Sequence, residues 1–251
     1  MKILAITQAR YGSSRFPGKI LKKIGDNTLL DIHLERILQS KTVSKLKVAT
    51  TTEPEADKIV AVCNAHGVEA FKGSIDDVLE RFYLTAKSEQ PDYVVRLTSD
   101  CPLIDPMEID LVVSALIAAD VDYASNVLEP TRPDGVDVEA FKFSALEKAY
   151  NEATLKSDRE HVTPYIWRNS SVKGGNIFKS VSVKGTEDYS SYRMTVDENE
   201  DFELISQLIE KLDVDKNWID YINYLESHPD LISVNNKYTR NEGYAKSLKN
   251  N

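Results

Sequence analysis

Residues 8–19 read Q-A-R-Y-G-S-S-R-F-P-G-K, a glycine-containing and cationic stretch that follows directly after the apolar run Lys2–Gln8. The run has the length and composition of a buried strand. Ligands of open α/β sheets bind beyond the carboxyl ends of the strands. The sequence therefore predicts a positively charged turn at the edge of a sheet where a ligand is expected.

The residue types in this turn suit a polyphosphate. Small side chains let backbone N–H groups approach a phosphate, and cations balance its charge. Both kinds are present: Gly12, Ser13 and Ser14 are small, and Arg10, Arg15 and Lys19 are cationic. Neither the G-x-x-x-x-G-K-S/T pattern nor the G-x-G-x-x-G spacing occurs here. The alternative is a solvated basic turn, which three cations beside Pro17-Gly18 disfavour.

Strand and helix patterns alternate from the turn to about residue 124, which predicts an α/β fold with a mostly parallel sheet and helices on both faces. The predicted strands are Lys2–Gln8, Lys45–Thr50, Val68–Phe71 and Tyr93–Leu97. The predicted helices cover Leu29–Gln39, a segment from Pro54 to Gly67, a segment carrying Val78–Tyr83, and one opening at Asp105-Pro106.

The pattern changes after Ala124, and we interpret residues 127–190 as a small α+β excursion within one domain of residues 1–251. The excursion is predicted to contain a strand at Asp137–Phe141, helices at Ser144–Ala153 and Asp158–Asn169, and an antiparallel strand at Asn176–Val183. A returning strand at Tyr192–Val196 and helices at Glu200–Leu212 and Asn217–Ser227 follow. We expect the polar tail from Lys237 to be loose.

Composition excludes several classes of protein. The 251 residues are 41% hydrophobic and carry a net charge of −9, which opposes general nucleic-acid binding. No apolar run approaches the roughly 20 residues needed to span a bilayer. Two cysteines in separate segments, Cys63 and Cys101, indicate a reducing compartment, so we expect a cytoplasmic protein with no membrane partner.

The turn resembles the N-terminal signature of the CMP-sugar synthetase superfamily, and the Gln8 form is most similar to its spore-coat polysaccharide, SpsF-like branch. Further matches are G-S-x-D-D-V-L-x-R (73–81), T-S-D-C-P-L-I-D-P (98–106), D-G-V-D-V-E (134–139), R-E-H-V-T-P-Y-I (159–166) and T-V-D-E-x-E-D (195–201). The resemblance implies a Rossmann-like nucleotidyltransferase that uses CTP, and a homodimer formed through the excursion. It also implies that Gln8, Ala9 and Ser99 contact the nucleotide with the turn.

Asp100 is the first candidate metal ligand. It follows the predicted strand Tyr93–Leu97, beside the turn. Mg²⁺ takes oxygen ligands and is usually held by one or two carboxylates plus substrate phosphates. The alternative is a turn cap before Pro102. Asp105, in contrast, precedes Pro106 and is predicted to cap a helix.

Asp197 ends the predicted strand Tyr192–Val196, and the resemblance implies that it is the second metal carboxylate. The alternative is an ordinary helix cap, since an acidic helix start follows. Asp201 is expected to serve the positive end of that helix.

Acceptor contacts are predicted in the excursion. Alternation along a strand places Asp137 and Glu139 on one face. Three roles are open for them: binding acceptor hydroxyls, holding a second metal, or facing water. Arg159 and His161 are candidates for recognising an anionic acceptor, and Arg193 for assisting from the returning strand.

The predicted function is Mg²⁺-dependent transfer of CMP from CTP to a sugar acid, with release of pyrophosphate stabilised by Arg10, Arg15 and Lys19. No general base is evident. The alternatives are a phosphorylated acceptor giving a CDP-linked product, a glycosyltransferase and a non-catalytic nucleotide-binding protein. The Asp-x-Asp motif common in glycosyltransferases is absent, because Cys101 and Pro102 follow Asp100.

Overall fold

A seven-stranded sheet organises the computed structural model, which describes residues 1–13 and 15–251 and, for Asn250, the backbone only. The strand order is β5-β4-β1-β6-β8-β7-β9. Its strands are β1 Ile3–Gln8, β4 Lys45–Thr51, β5 Glu69–Gly73, β6 Tyr93–Thr98, β7 Tyr123–Ser125, β8 Glu139–Lys142 and β9 Ser180–Ser182; a separate ribbon pairs β2 Lys23–Ile24 with β3 Asn27–Thr28.

Helices cover both faces of the sheet. They are α1 Leu29–Ile37, α2 Ala56–Ala65, α3 Val78–Lys87, α4 Pro106–Ala118, α5 Phe143–Glu152, α6 Lys156–His161, α7 Pro164–Arg168, α8 Asn199–Leu212, α9 Trp218–Ser227, α10 Pro229–Ile232 and α11 Glu242–Ser247. One core cluster joins the sheet to α1, α2 and α4, and a second joins it to α3 and α5. The predicted α/β class is confirmed. No described helix is long and apolar enough to cross a membrane.

The parallel half of the sheet fixes the ligand-binding edge. β1 lies between β4 and β6, and Gln8 pairs with Ala49 on one side and Thr98 on the other. β1 and β6 therefore end level, β4 continues two residues further to Thr51, and the turn of residues 8–19 leaves from that edge. β8 pairs antiparallel with both β6 and β7.

Two predictions in the excursion are wrong. β9 runs parallel to β7, not antiparallel to a neighbour, because the chain between them includes β8 and three helices, long enough for a crossover connection. The single helix predicted at Asp158–Asn169 is two helices, α6 and α7. Val162 between them has a φ of 72°, and Pro164 has no N–H with which to continue α6.

The segment Tyr192–Val196 is not a sheet strand, which corrects a further prediction. Within the described residues it forms only an isolated bridge, between Arg193 and Asp134. Its N–H groups instead bind loops at the ligand edge: Met194 N donates to the Asp134 carbonyl at 2.6 Å, and Val196 N to the Asp100 carbonyl at 2.7 Å. This long-range pairing carries the following residue, Asp197, to Asp100.

The C-terminal tail is also different from its prediction. Instead of being loose, it forms α11, and Ser247 at the end of this helix is buried. The segment from Thr239 to Ser247 lies over the ligand edge of the sheet, where it contributes to the wall of the cavity described below.

Gly135 permits the docking of Tyr192–Val196. Its φ is 115°, and a Cβ there would lie 2.5 Å from the carbonyl carbon of Met194. We therefore expect Gly135→Ala to lower the free energy of unfolding by about 3 kcal/mol or more, measured by urea denaturation. Gly174→Ala is the control, since its φ is 80° but its Cβ position is open, and we expect a loss of about 1 kcal/mol. Equal losses in the two variants would contradict the close-approach explanation.

Candidate active site

A cavity of about 820 Å³ opens at the carboxyl ends of β1 and β6. This volume suits a ligand of nucleotide size. Nearly all the predicted site residues line it: Gln8, Ala9, Arg10, Ser13, Arg15, Lys19, Ser99, Asp100, Asp137, Glu139, His161, Arg193 and Asp197. Residues distant in sequence thus converge on one site.

Gly12 does not line the cavity; it lies beside Glu53, whose Oε1 would be 3.0 Å from an added Cβ. Ser14 lies outside the described residues. Ser13 orders the turn, because its Oγ accepts a hydrogen bond from Phe16 N at 3.4 Å and its N–H donates to the Tyr11 carbonyl at 2.9 Å.

Lys19 is the centre of the site. Its Nζ donates to Asp100 Oδ2 at 3.0 Å, to Asp197 Oδ1 at 2.8 Å and to the Val196 carbonyl at 2.7 Å. Burial disfavours the charged amine, but the two carboxylates outweigh this effect and raise the pKa of Lys19. Burial likewise opposes ionisation of Asp100, and the charge and hydrogen bond of Lys19 overcome it, lowering the pKa of Asp100 to about 2. Lys19 and Asp100 are therefore both charged at neutral pH.

Asp100 and Asp197 are close enough to share an ion, because one oxygen of each lies within 3.0 Å of the same nitrogen. Both line the cavity beside the cationic turn of residues 8–19. Among the described residues, no group of three His, Cys, Asp or Glu side chains forms a metal site. Two carboxylates with the remaining positions left to phosphate and water match the usual mode of Mg²⁺ binding, so the residues fit this ion.

Arg193 forms an ion pair with Asp197 and with two further carboxylates. Its guanidinium binds Asp201 at 2.8 Å, Asp134 at 3.0 Å and Asp197 at 3.3 Å. These carboxylates outweigh the effect of burial and raise the pKa of Arg193. Arg193 lines the cavity, and its bonds to these carboxylates hold Asp197 in position; its predicted part in acceptor recognition stays a prediction.

The start of α8 is organised by the same network. Asp201 Oδ2 accepts from the N–H groups of Asp197 and Glu198 at 2.9 and 3.0 Å, so Asp201 serves the helix start as predicted. Glu198, not Asp197, is the capping residue. Asp197 is therefore free to face Lys19 and Arg15, whose Nη2 lies 2.8 Å from Asp197 Oδ1.

The two carboxylates predicted to contact an acceptor, Asp137 and Glu139, each have a cationic partner. Glu139 is buried and accepts from Arg96 at 2.5 Å and from the Tyr123 hydroxyl. Asp137 is bound by Arg240 of the tail. Burial raises the pKa of Asp137 to about 7, with Asp134 and Glu139 adding to the shift and Arg240 opposing it.

Arg159 is not brought to the cavity. Its Nε and Nη2 both donate to Asp77 Oδ2, at 2.9 and 2.5 Å, and its Nη1 donates to the Tyr150 carbonyl at 2.7 Å. These bonds tie α6 to the start of α3. The predicted acceptor contact is wrong, because the arginine faces the neighbouring helix.

His161 does line the cavity, and the tail closes against it. Its Nε2 lies 2.9 Å from Ser247 Oγ, and the ring of Tyr244 meets it edge to face. Burial and the nearby Arg96 lower the pKa of His161.

The sequence interpretation missed three components of the site: Arg81, Arg96 and the segment Thr239–Ser247. Arg81 lies within a matching motif, which could have identified it.

The sheet, the cationic turn and the paired carboxylates at its edge define the protein as a nucleotidyltransferase. Comparison with known proteins narrows this class. The chain belongs to the cytidylyltransferase family, whose pattern matches residues 4–226. This membership confirms the resemblance seen in the sequence motifs.

Similar proteins agree with the family assignment. A cytidylyltransferase from Leptospira borgpetersenii has a solved structure that superposes with a TM-score of 0.86 at 36% identity, covering 92% of this chain and 97% of that one. The spore coat polysaccharide biosynthesis protein SpsF of Bacillus subtilis is 34% identical over 83% of this chain and 87% of its own. A 3-deoxy-manno-octulosonate cytidylyltransferase from Geotalea daltonii is 38% identical over 46% of this chain and 45% of its own.

The raised pKa of Asp137 has a consequence for stability. Folding favours the protonated carboxyl between its ordinary pKa near 3.8 and its folded value of about 7. The quantity to compare is the free energy of unfolding of the wild type minus that of Asp137→Asn. This difference should fall by about 1 kcal/mol or more as the pH rises from 4 to 7, and it should stay level above pH 8. Urea denaturation at a series of pH values measures this difference.

The control for that series is Asp57→Asn, because the Asp57 side chain is 77% exposed. This variant shows what the loss of an exposed carboxylate contributes to the series, and a pH-dependent fall as large as that found with Asp137→Asn would contradict the effect of burial. A difference between wild type and Asp137→Asn that is flat from pH 4 to 8 would show that Asp137 titrates as an ordinary surface carboxylate.

Proposed function

We propose that this cytidylyltransferase moves CMP from CTP to a sugar acid, releases pyrophosphate and uses Mg²⁺ held by Asp100 and Asp197. The observation that carries the proposal is the meeting of these two carboxylates on Lys19, inside a cavity bordered by the cationic turn. The similarity to 3-deoxy-manno-octulosonate cytidylyltransferase over 46% of the chain supports a sugar acid as the acceptor.

The reaction is an in-line displacement at the α-phosphorus. The acceptor oxygen forms a bond to that phosphorus while the bond to the bridging oxygen of the β-phosphate breaks. Pyrophosphate leaves with the bonding electrons, and the hydroxyl proton is lost. Such chemistry depends mainly on positioning and charge stabilisation.

The chain's residues divide this work. Arg10 lines the cavity, and the structure gives it no carboxylate partner within the described residues, so it is available to the leaving pyrophosphate. Arg15 and Lys19 border the same region. Bound Mg²⁺ supplies charge neutralisation on the phosphate oxygens. Asp137, with a pKa of about 7, is suited to take the hydroxyl proton.

Charge at the acceptor end favours a CMP-linked over a CDP-linked product. Arg96 and Arg240 are already paired with Glu139 and Asp137. A phosphorylated acceptor would bring close to two further negative charges, which such pairs offset poorly. A sugar acid brings only one negative charge, and its hydroxyls donate readily to these carboxylates.

Product analysis tests the proposal. The protein is incubated with Mg²⁺, one of CTP, UTP, ATP or GTP, and a panel of sugar acids and sugar phosphates that includes 3-deoxy-manno-octulosonate and N-acetylneuraminate. We expect a CMP-linked sugar acid by mass spectrometry, one pyrophosphate per CTP consumed, and loss of both with EDTA. A CDP-linked product, or turnover unaffected by EDTA, would contradict the proposal.

Asp100→Asn tests the metal role directly. A neutral amide holds Mg²⁺ poorly, so we expect pyrophosphate release to fall by about 100-fold or more with the fold retained, as judged by circular dichroism. Asp26→Asn, at an exposed turn, is the control and should behave as wild type. Normal pyrophosphate release by Asp100→Asn would remove this residue from the mechanism.

The homodimer implied by the family resemblance remains a proposal for this chain. We propose that the excursion of residues 127–190 supplies the contact. Sedimentation velocity gives the mass in solution, and a monomer at micromolar concentration would overturn this part of the proposal.

A further inference from the structure

The side chain of Gln8 lies on the α3 face of the sheet, at its ligand edge. Side chains alternate along a strand, so Leu4, Ile6 and Gln8 of β1 share one face. Leu4 and Ile6 belong to the core cluster that contains Val78 of α3. Thr7 points to the opposite face, where it binds His33 of α1. Gln8 is the last residue of β1 and lines the cavity together with Val78 and Arg81.

Among the described residues, three buried polar atoms of side chains that line the cavity lack partners; one of them, Arg96 Nε, belongs to an arginine that is already paired with Glu139. Gln8 Oε1 and Arg81 Nε are each buried and make no hydrogen bond within residues 1–13 and 15–251. Arg81 is only 2% exposed, and its Nη1 is used by the Ser74 carbonyl. Buried polar groups are nearly always paired, and leaving one unpaired destabilises the protein. The unused acceptor of Gln8 and the unused donor of Arg81 line the same cavity and therefore indicate a ligand that completes them.

A cytosine edge has the complementary groups. Its exocyclic amino group donates, and its ring nitrogen and carbonyl oxygen accept. Uracil has the opposite hydrogen-bonding groups at two of these positions. A carbonyl that accepts replaces the amino group, and an N–H that donates replaces the accepting ring nitrogen. We infer that Gln8 Oε1 accepts from the cytosine amino group, that Arg81 Nε donates to the acceptor side of the base, and that Gln8 is the residue that selects CTP over UTP.

The position agrees with the rest of the site. Arg10, in the phosphate-binding turn, is two residues beyond Gln8 and borders the same cavity. It is also close enough to Arg81 for their charges to repel. A base bound by Gln8 and Arg81 would place the phosphates of the same nucleotide near Arg10. This inference rests on the proposed use of a nucleoside triphosphate.

Direct nucleotide binding tests the inference without knowledge of the acceptor. Isothermal titration calorimetry with Mg²⁺ gives the Kd values of CTP and UTP for the wild type, for Gln8→Met and for Gln8→Glu. Methionine keeps the length of the side chain but has no carbonyl acceptor, whereas glutamate retains an acceptor. The ratio of the UTP and CTP Kd values is the quantity of interest, because a general loss of structure would weaken both nucleotides together.

We expect the wild type to prefer CTP by about 10- to 100-fold. Gln8→Met should bring the ratio close to one, mainly through weaker CTP binding, and Gln8→Glu should keep the preference for CTP even if both nucleotides bind more weakly. Gln207→Met, at an exposed position of α8, is the control and should retain the wild-type ratio.

The outcomes separate this inference from the function on which it rests. If the wild type binds no nucleotide, the proposed function fails and the inference fails with it. If the wild type prefers CTP and Gln8→Met keeps that preference, the function stands and the role of Gln8 is overturned. Equal binding of CTP and UTP by the wild type would also overturn it.

Discussion

The ammonium group of Lys19 is the interaction on which the site depends. Two carboxylates as close as Asp100 and Asp197 would repel each other if no cation lay between them. They come from segments 97 residues apart in the sequence, and Lys19 comes from a third. One buried charge therefore holds together the turn after β1, the loop after β6 and the segment before α8.

The network behind this centre fixes its geometry. Arg193 binds Asp134, Asp197 and Asp201, and Asp201 in turn binds the backbone at the start of α8. Buried ion pairs contribute little net stability, because removing charges from water offsets their attraction. Their value here is in orientation, since each oxygen of Asp197 has a fixed partner before any ligand arrives. Such preorganisation is what phosphoryl-group chemistry requires of a protein.

Local patterns were enough to predict the parallel half of the sheet and the turn beside it. The strands around Gln8 are short segments rich in apolar residues, and the three cations that follow lie within one stretch of ten residues. Tyr192–Val196 was predicted to be a strand because it has the composition of one, but its hydrogen bonds go to loops at Asp134 and Asp100. Arg159 was misassigned for a related reason, because its partner Asp77 is 82 residues away. The position of the tail depends on equally distant contacts, which composition cannot indicate.

The end of the cavity around Gln8 and Arg81, where we propose that the base binds, has features that destabilise the ligand-free protein. Arg10 and Arg81 repel each other, and Gln8 Oε1 and Arg81 Nε are buried without partners. Each of these features destabilises the empty fold, and a nucleotide would relieve them all through its phosphates and base. Binding that relieves such strain stabilises the folded state by mass action. Unpaired buried polar atoms and repelling charges are characteristic of functional sites. Here they occur together at the end of β1, next to the cationic turn of residues 8–19.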